Sequence, residues 1–540
     1  IAFYHQEKKR FEIKRDLLKR KINLVSLIRI GLFLFTLIAT YFTFENKALF
    51  VILIIASLIG FVFLVLTYQN LTSEKELCEQ LISINTIEIN ALNGEYLDLP
   101  KGSEFIDDHH FYSNDIDLFG KGSFFQYMNR TATGSGSETL AQVLLENNPD
   151  HIIQRQEVIK ELSQKVSWRQ KFLALANMVK VEVDHKTIIS WIKTYKSFLP
   201  SIMTYLPFLF SVLSFVFFTL LVFNLVSFYL LLVWFFIGLA INSPFFKKIN
   251  HLYVDAGQVK DTFKQYHSLL KEIEDLPISS ALGKEHKDKI RSSDKKASVI
   301  FKEFSKILDA FDQRNNMLFG ILGNGFFLWD IRQTSKIDKW VEAYQHQVQD
   351  WFEVIAYFDA QISLSNYAYN HPEHHFPEIV QSEDILNTIA LGHPILDKKL
   401  RVDNDFIINK NDFHIITGAN MAGKSTFLRT ISLGLVMANS GLPVCAKSIK
   451  YSPIKLITSM RTADSLAEES SYFYAEIMRL RFIVEEMAKE KYFIILDEIL
   501  KGTNSKDKAV GSRKFVEKLV KSGSAGIIAT HDLSLCEIEK

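Results

Sequence analysis

The chain has 540 residues, of which 62 are basic and 61 acidic, so its formal net charge at pH 7 is +1. A dedicated nucleic-acid-binding protein usually has a basic excess, and this balance gives no support to that class. The three cysteines, Cys78, Cys445 and Cys536, lie far apart and exclude a dense disulfide framework or a Cys-based metal site, whereas the length indicates two or three domains.

The N-terminal region combines a basic segment with two apolar stretches. Its first 21 residues carry eight basic side chains: Lys8, Lys9, Arg10, Lys14, Arg15, Lys19, Arg20 and Lys21. Residues 22–44 and 48–68 are apolar, and about 20 apolar residues suffice to cross a bilayer as a helix. Because two stretches follow each other without a small-residue cleavage site, the pattern disfavours a signal peptide. The sequence therefore predicts a transmembrane hairpin at residues 22–68.

A second apolar region lies in the middle of the chain. Residues 197–246 contain no charged side chain and are rich in Phe, Leu and Val. This length predicts two further membrane-spanning helices that turn near residues 224–227. The shorter uncharged run at residues 317–329 cannot span a bilayer, and it predicts a buried or interfacial turn.

The charges that flank the two hairpins predict their orientation. The basic segment precedes the first hairpin, and Lys247 and Lys248 follow the second. Basic flanks of membrane spans tend to stay in the cytoplasm. Since each hairpin returns the chain to the side it left, we expect residues 69–196 and 247–540 to face the cytoplasm together.

Two histidine clusters could offer metal ligands. One comprises His371, His374 and His375, and the other lies in residues 107–110. Neither cluster has Cys partners or a His-x-x-x-His pair arranged on a helix, as is typical of zinc sites, so we assign no metal to them.

The most specific motif lies in the C-terminal third of the chain. Residues 418–425 read Gly-Ala-Asn-Met-Ala-Gly-Lys-Ser, a full match to the phosphate-loop pattern G-x-x-x-x-G-K-[ST]. A β-branched run at residues 413–417 precedes it and a helical pattern follows it, which is the context that this loop requires. The predicted ATP-binding residues of this loop are Gly418, Ala419, Asn420, Met421, Ala422, Gly423, Lys424, Ser425 and Thr426.

The side chains at the end of this loop have separate predicted roles. Lys424 would reach the β- and γ-phosphates, and the Ser425 hydroxyl would ligate Mg²⁺. A second buried strand, at residues 491–498, ends in Asp497 and Glu498. Asp497 is predicted to hold Mg²⁺ through its water shell, and Glu498 to accept a proton from the attacking water or to orient it.

A third apolar strand, at residues 526–530, precedes His531. This position would let the imidazole sense the γ-phosphate. A single histidine at a strand end is usually a solvated loop residue, so the prediction depends on its neighbours. Together these motifs predict an α/β P-loop ATPase domain.

The motifs also carry a family resemblance. Residues 417–429 resemble the phosphate loop of the MutS mismatch-repair ATPases, and residues 464–476 resemble the signature segment of that family. Residues 497–505 are similar to its Asp-Glu-x-x-x-Gly-Thr stretch, and residues 529–531 to its switch histidine. The four motifs occur in the family's order.

The resemblance implies roles that the residues alone do not. Two subunits would sandwich two ATP molecules, with Ser471 of one chain contacting the nucleotide held by the other. Ser471 could equally act as the N-cap of the helix at residues 472–486, and both roles are compatible. Phe406 would stack on adenine. Hydrolysis with Glu498 as base would open the sandwich and move the helical levers.

The resemblance extends upstream but stops before the first hairpin. Residues 117–119, 129–136 and 155–156 look like the start of the MutS core, or lever, domain, and residues 356–368 like its lever helix. Nothing before residue 100 resembles the domain that recognises mismatches in that family. Mismatch recognition is therefore not carried over to this chain.

We therefore expect a membrane-anchored MutS-like ATPase in which an α/β P-loop (ABC-type) domain is joined to an all-α lever domain. The expected regions are a basic flank at 1–21, hairpins at 22–68 and 197–246, lever parts at 69–196 and 247–375, and an ATPase domain at 376–540 that continues beyond Lys540.

The expected cofactors are ATP and Mg²⁺, and the expected partners are membrane lipid and a second copy of the chain. Three functions stay open. The first is a DNA-binding ATPase in a repair or recombination context. The second is an ATP-driven membrane switch that acts on a protein or lipid partner without DNA. The third, a transporter, is disfavoured because the predicted spans have few polar residues for a substrate path.

Overall fold

We analysed a computed structural model, which describes residues 1–179, 183–291, 295–419, 421–461, 472–500, 505–531 and 535–536. The chain divides into two compact units. Unit 1 comprises Ile1–Gly94, Ser167–Leu276 and Lys289–Ile355, and unit 2 comprises Glu95–Val166, Pro277–Asp288 and Ala356–Lys540.

Helices dominate the described residues. In chain order they are α1 Ala2–Thr43, α2 Lys47–Leu92, α3 Phe124–Met128, α4 Gly134–Leu145, α5 Ile152–Ser163, α6 Val166–Asn177, α7 His185–Thr194, α8 Leu206–Val222, α9 Phe228–Asn242, α10 Phe246–Asp275, α11 Ala281–Asp288, α12 Ala297–Asp312, α13 Met317–Phe327, α14 Trp329–Tyr344, α15 Val348–Asn370, α16 Lys424–Asn439, α17 Tyr472–Met487 and α18 Ser505–Lys521. Short 3₁₀ turns occur at Ser103–Phe105, Ser201–Thr204, Ser243–Phe245 and Gln313–Asn315.

The strands of the described residues all lie in unit 2. They are β1 Glu378–Ile379, β2 Asp384–Leu391, β3 Asn404–Asn409, β4 Phe413–Thr417, β5 Ser448–Tyr451, β6 Lys455–Ser459, β7 Tyr492–Asp497 and β8 Ala525–Thr530. A mostly helical chain with small sheets agrees with the predicted combination of a helical lever and an α/β domain.

In unit 1, α1 and α2 form a long helical hairpin. The side chain of Asn46 caps α2 by accepting a hydrogen bond from the Leu49 N–H (3.2 Å). At 1.5 Å per residue, the 42 residues of α1 and the 46 residues of α2 correspond to about 63 and 69 Å. Their most apolar windows are not buried at all, and the side chains of Leu27 and Ile52 are 66% and 67% exposed. The hairpin thus presents an apolar surface that nothing in unit 1 covers.

Length and composition single out three helical stretches among the described residues that could cross a membrane. They are Ala2–Thr43, Lys47–Leu92 and Phe228–Asp275. The sequence predicted four spans. The remaining predicted span corresponds to α8, which has only 17 residues. A 3₁₀ turn at Ser201–Thr204 precedes α8, and Pro207 lies in its first turn. The other arm of the second predicted hairpin, α9, has 15 residues by itself and reaches membrane-spanning length only as part of the longer stretch Phe228–Asp275.

The run predicted as a turn, residues 317–329, instead forms α13, which packs against α8 and α9. The Ser214 hydroxyl of α8 donates to the Phe326 carbonyl oxygen (2.6 Å) and accepts from the Trp234 indole N–H (2.8 Å). A Cβ atom at Gly238 would lie 2.1 Å from the Gly325 carbonyl oxygen. Small residues therefore allow the backbones of α9 and α13 to touch.

Three helices of unit 1, α10, α12 and α14, share an aromatic core. Phe263 of α10, Phe301 and Phe304 of α12 and Trp340 of α14 are all buried. The rings of Phe304 and Trp340 stack with centroids 3.8 Å apart. Aromatic pairs of this kind contribute about 0.5–1.5 kcal/mol beyond their buried area. Aromatic contacts thus hold this helical part of the chain together.

Unit 2 contains two four-stranded sheets within the described residues. One has the order β4-β8-β7-β6 with all strands parallel, and the other has the order β1-β5-β2-β3 and is mixed. The two central strands of the parallel sheet, β7 and β8, are buried along their whole length, as expected for strands that are covered on both faces. Phe493 and Ile495 of β7 belong to one core cluster with α16, whereas Ile494 belongs to another with α17 and α18. The sequence motifs predicted the parallel sheet but not the mixed one.

A buried carboxylate joins α15 to α4 inside unit 2. Asp359 is fully buried, and its side chain accepts hydrogen bonds from the Ala132 N–H (3.1 Å), the Thr133 N–H (2.8 Å) and the Thr133 hydroxyl (2.7 Å). Thr133 is the N-cap of α4, and its hydroxyl oxygen in turn accepts from the Gly136 N–H (3.0 Å). Burial raises the pKa of Asp359 to about 6, although these hydrogen bonds favour the charged form.

Gly136 leaves space for this carboxylate, so Gly136→Ala should destabilise unit 2. The added Cβ atom would lie 2.2 Å from Asp359 Oδ2. Overpacking of this kind costs about 1–3 kcal/mol. Gly134→Ala is the matched control, because it lies in the same helical turn and its Cβ would meet nothing within 4 Å. Thermal unfolding of the two variants should show a lower midpoint for Gly136→Ala alone, and equal midpoints would contradict this interpretation.

Candidate active site

The predicted phosphate loop lies between β4 and α16, as the sequence indicated. Gly423 is the N-cap of α16 with φ of 89°, a left-handed conformation that favours glycine, and no side chain caps the helix among the described residues. The Lys424 ammonium group donates hydrogen bonds to the carbonyl oxygens of Gly418 (2.7 Å) and Ala419 (3.0 Å). The start of α16 is therefore open to an incoming acceptor, and a cation lies folded over the loop.

The loop is open to solvent. Met421, with φ of 64°, has a fully exposed side chain, and Ala422, Ser425 and Thr426 are exposed as well. Asn420 lies outside the described residues. An uncapped helix N-terminus with an adjacent lysine suits a phosphate group, since both carry positive charge toward the same place. The described residues thus fit the predicted ligand.

The parallel sheet brings the other predicted residues to the same edge. Thr417, at the end of β4, pairs with Thr530 of β8, and Asp497 of β7 pairs with Ala529. Because neighbouring strands lie about 4.8 Å apart, the ends of β4 and β7 are roughly 10 Å apart across β8. Asp497 itself is largely buried, at 9% exposure.

Glu498 is held in an unusual backbone conformation. Its φ of 52° is left-handed, and its N–H donates to the Ala529 carbonyl oxygen (2.9 Å), which fixes it beside β8. Its carboxylate lies 3.3 Å from Nδ1 of His531. A left-handed non-glycine residue costs on the order of 1–2 kcal/mol, and such strain tends to occur at functional sites. The arrangement can orient a water molecule and accept its proton.

Phe406 lies in β3, outside the parallel sheet. Its ring meets His414 and Phe427 edge-on, with centroid distances of 5.6 and 5.7 Å, and its exposure is only 8%. It also lines a cavity of about 630 Å³ beside β4, together with His414 and Phe427. The predicted stacking of this ring on adenine stays a prediction.

The signature segment is framed by contacts that sequence analysis did not predict. Residues 462–471, including Ser471, lie outside the described residues, as do residues 501–504. On one side of the segment, the backbone N–H of Arg461 donates to Asp115 (2.7 Å), and its guanidinium group donates to Asp117 (2.9 Å). Arg429 of α16 donates to Asp117 as well (2.8 Å).

On the other side of the segment, Arg479 of α17 is hydrogen-bonded to two backbone carbonyl oxygens. Its guanidinium group donates to Thr458 and Phe111, each at 2.7 Å. Burial lowers the pKa of Arg479 from its usual value. The Thr458 hydroxyl completes this cluster by donating to Asp115 (2.5 Å). Contacts between residues more than 300 positions apart leave no local signal, and only the resemblance at residues 117–119 pointed to this region.

Comparison with known proteins matches the C-terminal part of the chain. Residues 414–540 match the family model "MutS domain V". The chain is 35% identical over 181 residues to "DNA mismatch repair protein MutS" of Thermotoga sp. (strain RQ2), covering 33% of this chain and 23% of the relative. It is 35% identical over 164 residues to "MutS protein homolog 4" of Homo sapiens, covering 29% and 17%.

A further relative, "Endonuclease MutS2" of Thermus thermophilus, is 34% identical over 141 residues, with 26% of this chain and 18% of the relative covered. The chain thus spans less than a quarter of the length of these curated relatives. The matches support membership of the MutS family, and the family model covers the part of the chain that carries the phosphate loop.

Proposed function

We propose that the protein is a membrane-anchored MutS-like ATPase that couples ATP hydrolysis to the motion of its helical lever. One observation carries the proposal. The phosphate loop, the Asp497–Glu498 pair and His531 converge on one edge of a parallel sheet, within the segment that matches MutS domain V.

The side chains of the site would act on ATP in distinct ways. Lys424 would exchange the carbonyl oxygens of Gly418 and Ala419 for phosphate oxygens, which carry more negative charge. Ser425 and Asp497 would hold Mg²⁺, which neutralises charge on the phosphates.

Glu498 would orient the attacking water and accept its proton, and His531 would keep the Glu498 carboxylate in place.

The proposal includes a dimer, as the family resemblance implies. Each site would combine the phosphate loop of one subunit with Ser471 of the other. The two ends of the signature segment are tied to residues 109–117 through Arg461 and Arg479. A shift of the segment on hydrolysis would therefore be passed to that part of unit 2. This is the physical route by which closure of the sandwich would move the core.

Two substitutions separate ATP binding from hydrolysis. Glu498→Gln removes the base and should lower kcat by about 10²–10⁴, while ATP still binds and traps the dimer. Lys424→Ala should instead weaken ATP binding. Binding of a fluorescent ATP analogue, phosphate release and mass measurement by light scattering report the three properties. Glu383→Gln, at a position just before β2, is the control. Hydrolysis at the wild-type rate by Glu498→Gln would show that another group is the base.

We propose that the apolar hairpins lie in a bilayer and that residues 69–196 and 247–540 face the cytoplasm. Support comes from the uncovered apolar surface of α1 and α2 and from the basic residues at both flanks. No described residue of the α1–α2 turn belongs to the predicted ATPase site, so this part can be probed separately.

A labelling experiment tests this orientation. In a chain whose native cysteines are replaced by alanine, Glu45→Cys lies at the turn between α1 and α2, and Lys8→Cys lies in the basic segment. A membrane-impermeant thiol reagent should label Glu45→Cys in intact cells and Lys8→Cys only after permeabilisation. The reverse pattern would contradict the orientation, and labelling of neither position in intact cells would contradict the membrane hairpin.

DNA is the client that we propose, in a repair or recombination context; the alternative is a protein or lipid partner at the membrane. The name of one relative, "DNA mismatch repair protein MutS", favours DNA, whereas the balanced charge does not. Fluorescence anisotropy of homoduplex, mismatched and branched DNA, measured with and without ATP, decides between them. ATP-sensitive binding should weaken steeply with salt, because phosphate contacts release counterions. Absence of binding at low salt would favour the alternative.

A further inference from the structure

The C-terminal end of α15 carries a cluster of histidines that the predicted ATPase does not use. The chain turns sharply after α15, because the His371 N–H donates to the Tyr367 carbonyl oxygen (3.1 Å) and the His374 N–H to the His371 carbonyl oxygen (3.0 Å). This turn stacks the two imidazole rings with centroids 4.7 Å apart and planes at 10°. Glu373 lies between them in sequence.

Two tyrosines determine which ring nitrogens remain available. The hydroxyl of Tyr127, from α3, lies 2.8 Å from Nε2 of His371, and the hydroxyl of Tyr367 lies 3.1 Å from Nδ1 of His374. The remaining nitrogens, Nδ1 of His371 and Nε2 of His374, both face one oxygen of Glu373, at 3.8 and 4.0 Å. Partners of this kind orient ligating histidines in metal sites.

We propose that His371, Glu373 and His374 form a Zn²⁺ site. The three ligand atoms lie within 4.8 Å of one another. Around a tetrahedral zinc ion with bonds of about 2.0–2.1 Å, ligand atoms lie about 3.4 Å apart. The imidazoles are 12% and 3% exposed and are therefore held by their surroundings. The Glu373 oxygen lies 3.8 and 4.0 Å from the two nitrogens, and this side chain is 53% exposed, so it is free to move the roughly half ångström that separates it from ligating distance.

The composition of the cluster favours zinc over magnesium or calcium. Two neutral imidazoles and one carboxylate match the ligands that zinc prefers, whereas Mg²⁺ and Ca²⁺ prefer oxygen ligands. The positive charge of Arg401 lies near His374 and would oppose a bound cation. Asp403 offsets this charge, because its carboxylate accepts a hydrogen bond of 2.6 Å from the Arg401 guanidinium group. Three protein ligands leave the fourth position to a water molecule.

Zinc bound here would fix the end of α15. All three ligands follow this helix directly, and the Tyr127 hydroxyl links them to α3. Both helical segments belong to unit 2, so the ion would brace the carboxyl end of α15 against its neighbour independently of ATP. The expected consequence is a higher unfolding temperature in the presence of zinc.

Zinc binding to the tag-free, detergent-solubilised full chain tests the proposal. After treatment with a chelator and dialysis, isothermal titration with ZnCl₂ without nucleotide should show one site per chain. Glu373→Gln should weaken this site at least tenfold, and Tyr127→Phe, which removes only the hydroxyl, by about 10–100-fold. Glu378→Gln, an exposed carboxylate outside the cluster, should bind as the wild type does.

Two further results keep the test decisive. Co²⁺ in place of zinc should give the visible absorption of a tetrahedral site, and Glu373→Gln should lose it. Unfolding midpoints without metal should be equal for Glu373→Gln and the wild type, because the carboxylate is half-exposed. Equal zinc affinity of the wild type and Glu373→Gln, or no binding by the wild type, would overturn the proposal.

Discussion

The carboxyl ends of parallel strands meet on one edge of a sheet, and the candidate active site depends on this constraint. The order β4-β8-β7 places the end of the phosphate-loop strand, the histidine strand and the acidic strand side by side. Three chain segments that are far apart in sequence thereby contribute to one site. The helices that cover both faces of the sheet exclude water from its central strands, β7 and β8.

Charged side chains connect distant segments of the same unit. Asp359 and Asp115 are buried and Arg479 is half-buried, whereas Asp117 stays about half-exposed. Asp359 ties α15 to the start of α4, and the Asp115, Asp117 and Arg479 contacts tie residues 109–117 to β6 and α17. Buried charges of this kind are costly unless each is matched, and loss of one partner leaves the other uncompensated. They therefore specify one arrangement of the core relative to the nucleotide loop rather than simply adding stability.

The sequence predicted the parts of this site that are encoded locally. The octapeptide at residues 418–425 and the apolar run before Asp497 predicted β4, α16 and β7, because glycine spacing and hydrophobic runs are local signals.

The mixed sheet was not predicted, since β2 and β3 are interrupted by register shifts and by Ala390 at a positive φ. The shortened α8 follows from nearby prolines, and the contacts of Asp115 and Arg479 arise only when distant segments meet. The histidines at the end of α15 were noticed, but the two tyrosines that orient them come from separate helices.

The left-handed backbone of Glu498 has a consequence for how this chain would respond to selection. Glycine adopts that conformation without the steric cost that any other side chain incurs. The partly exposed contact of Glu498 with His531 contributes little to set against this cost. A screen for thermal robustness that did not assay turnover would therefore enrich glycine at position 498 and discard the carboxylate. Folding and the proposed chemistry place opposing demands on this one residue.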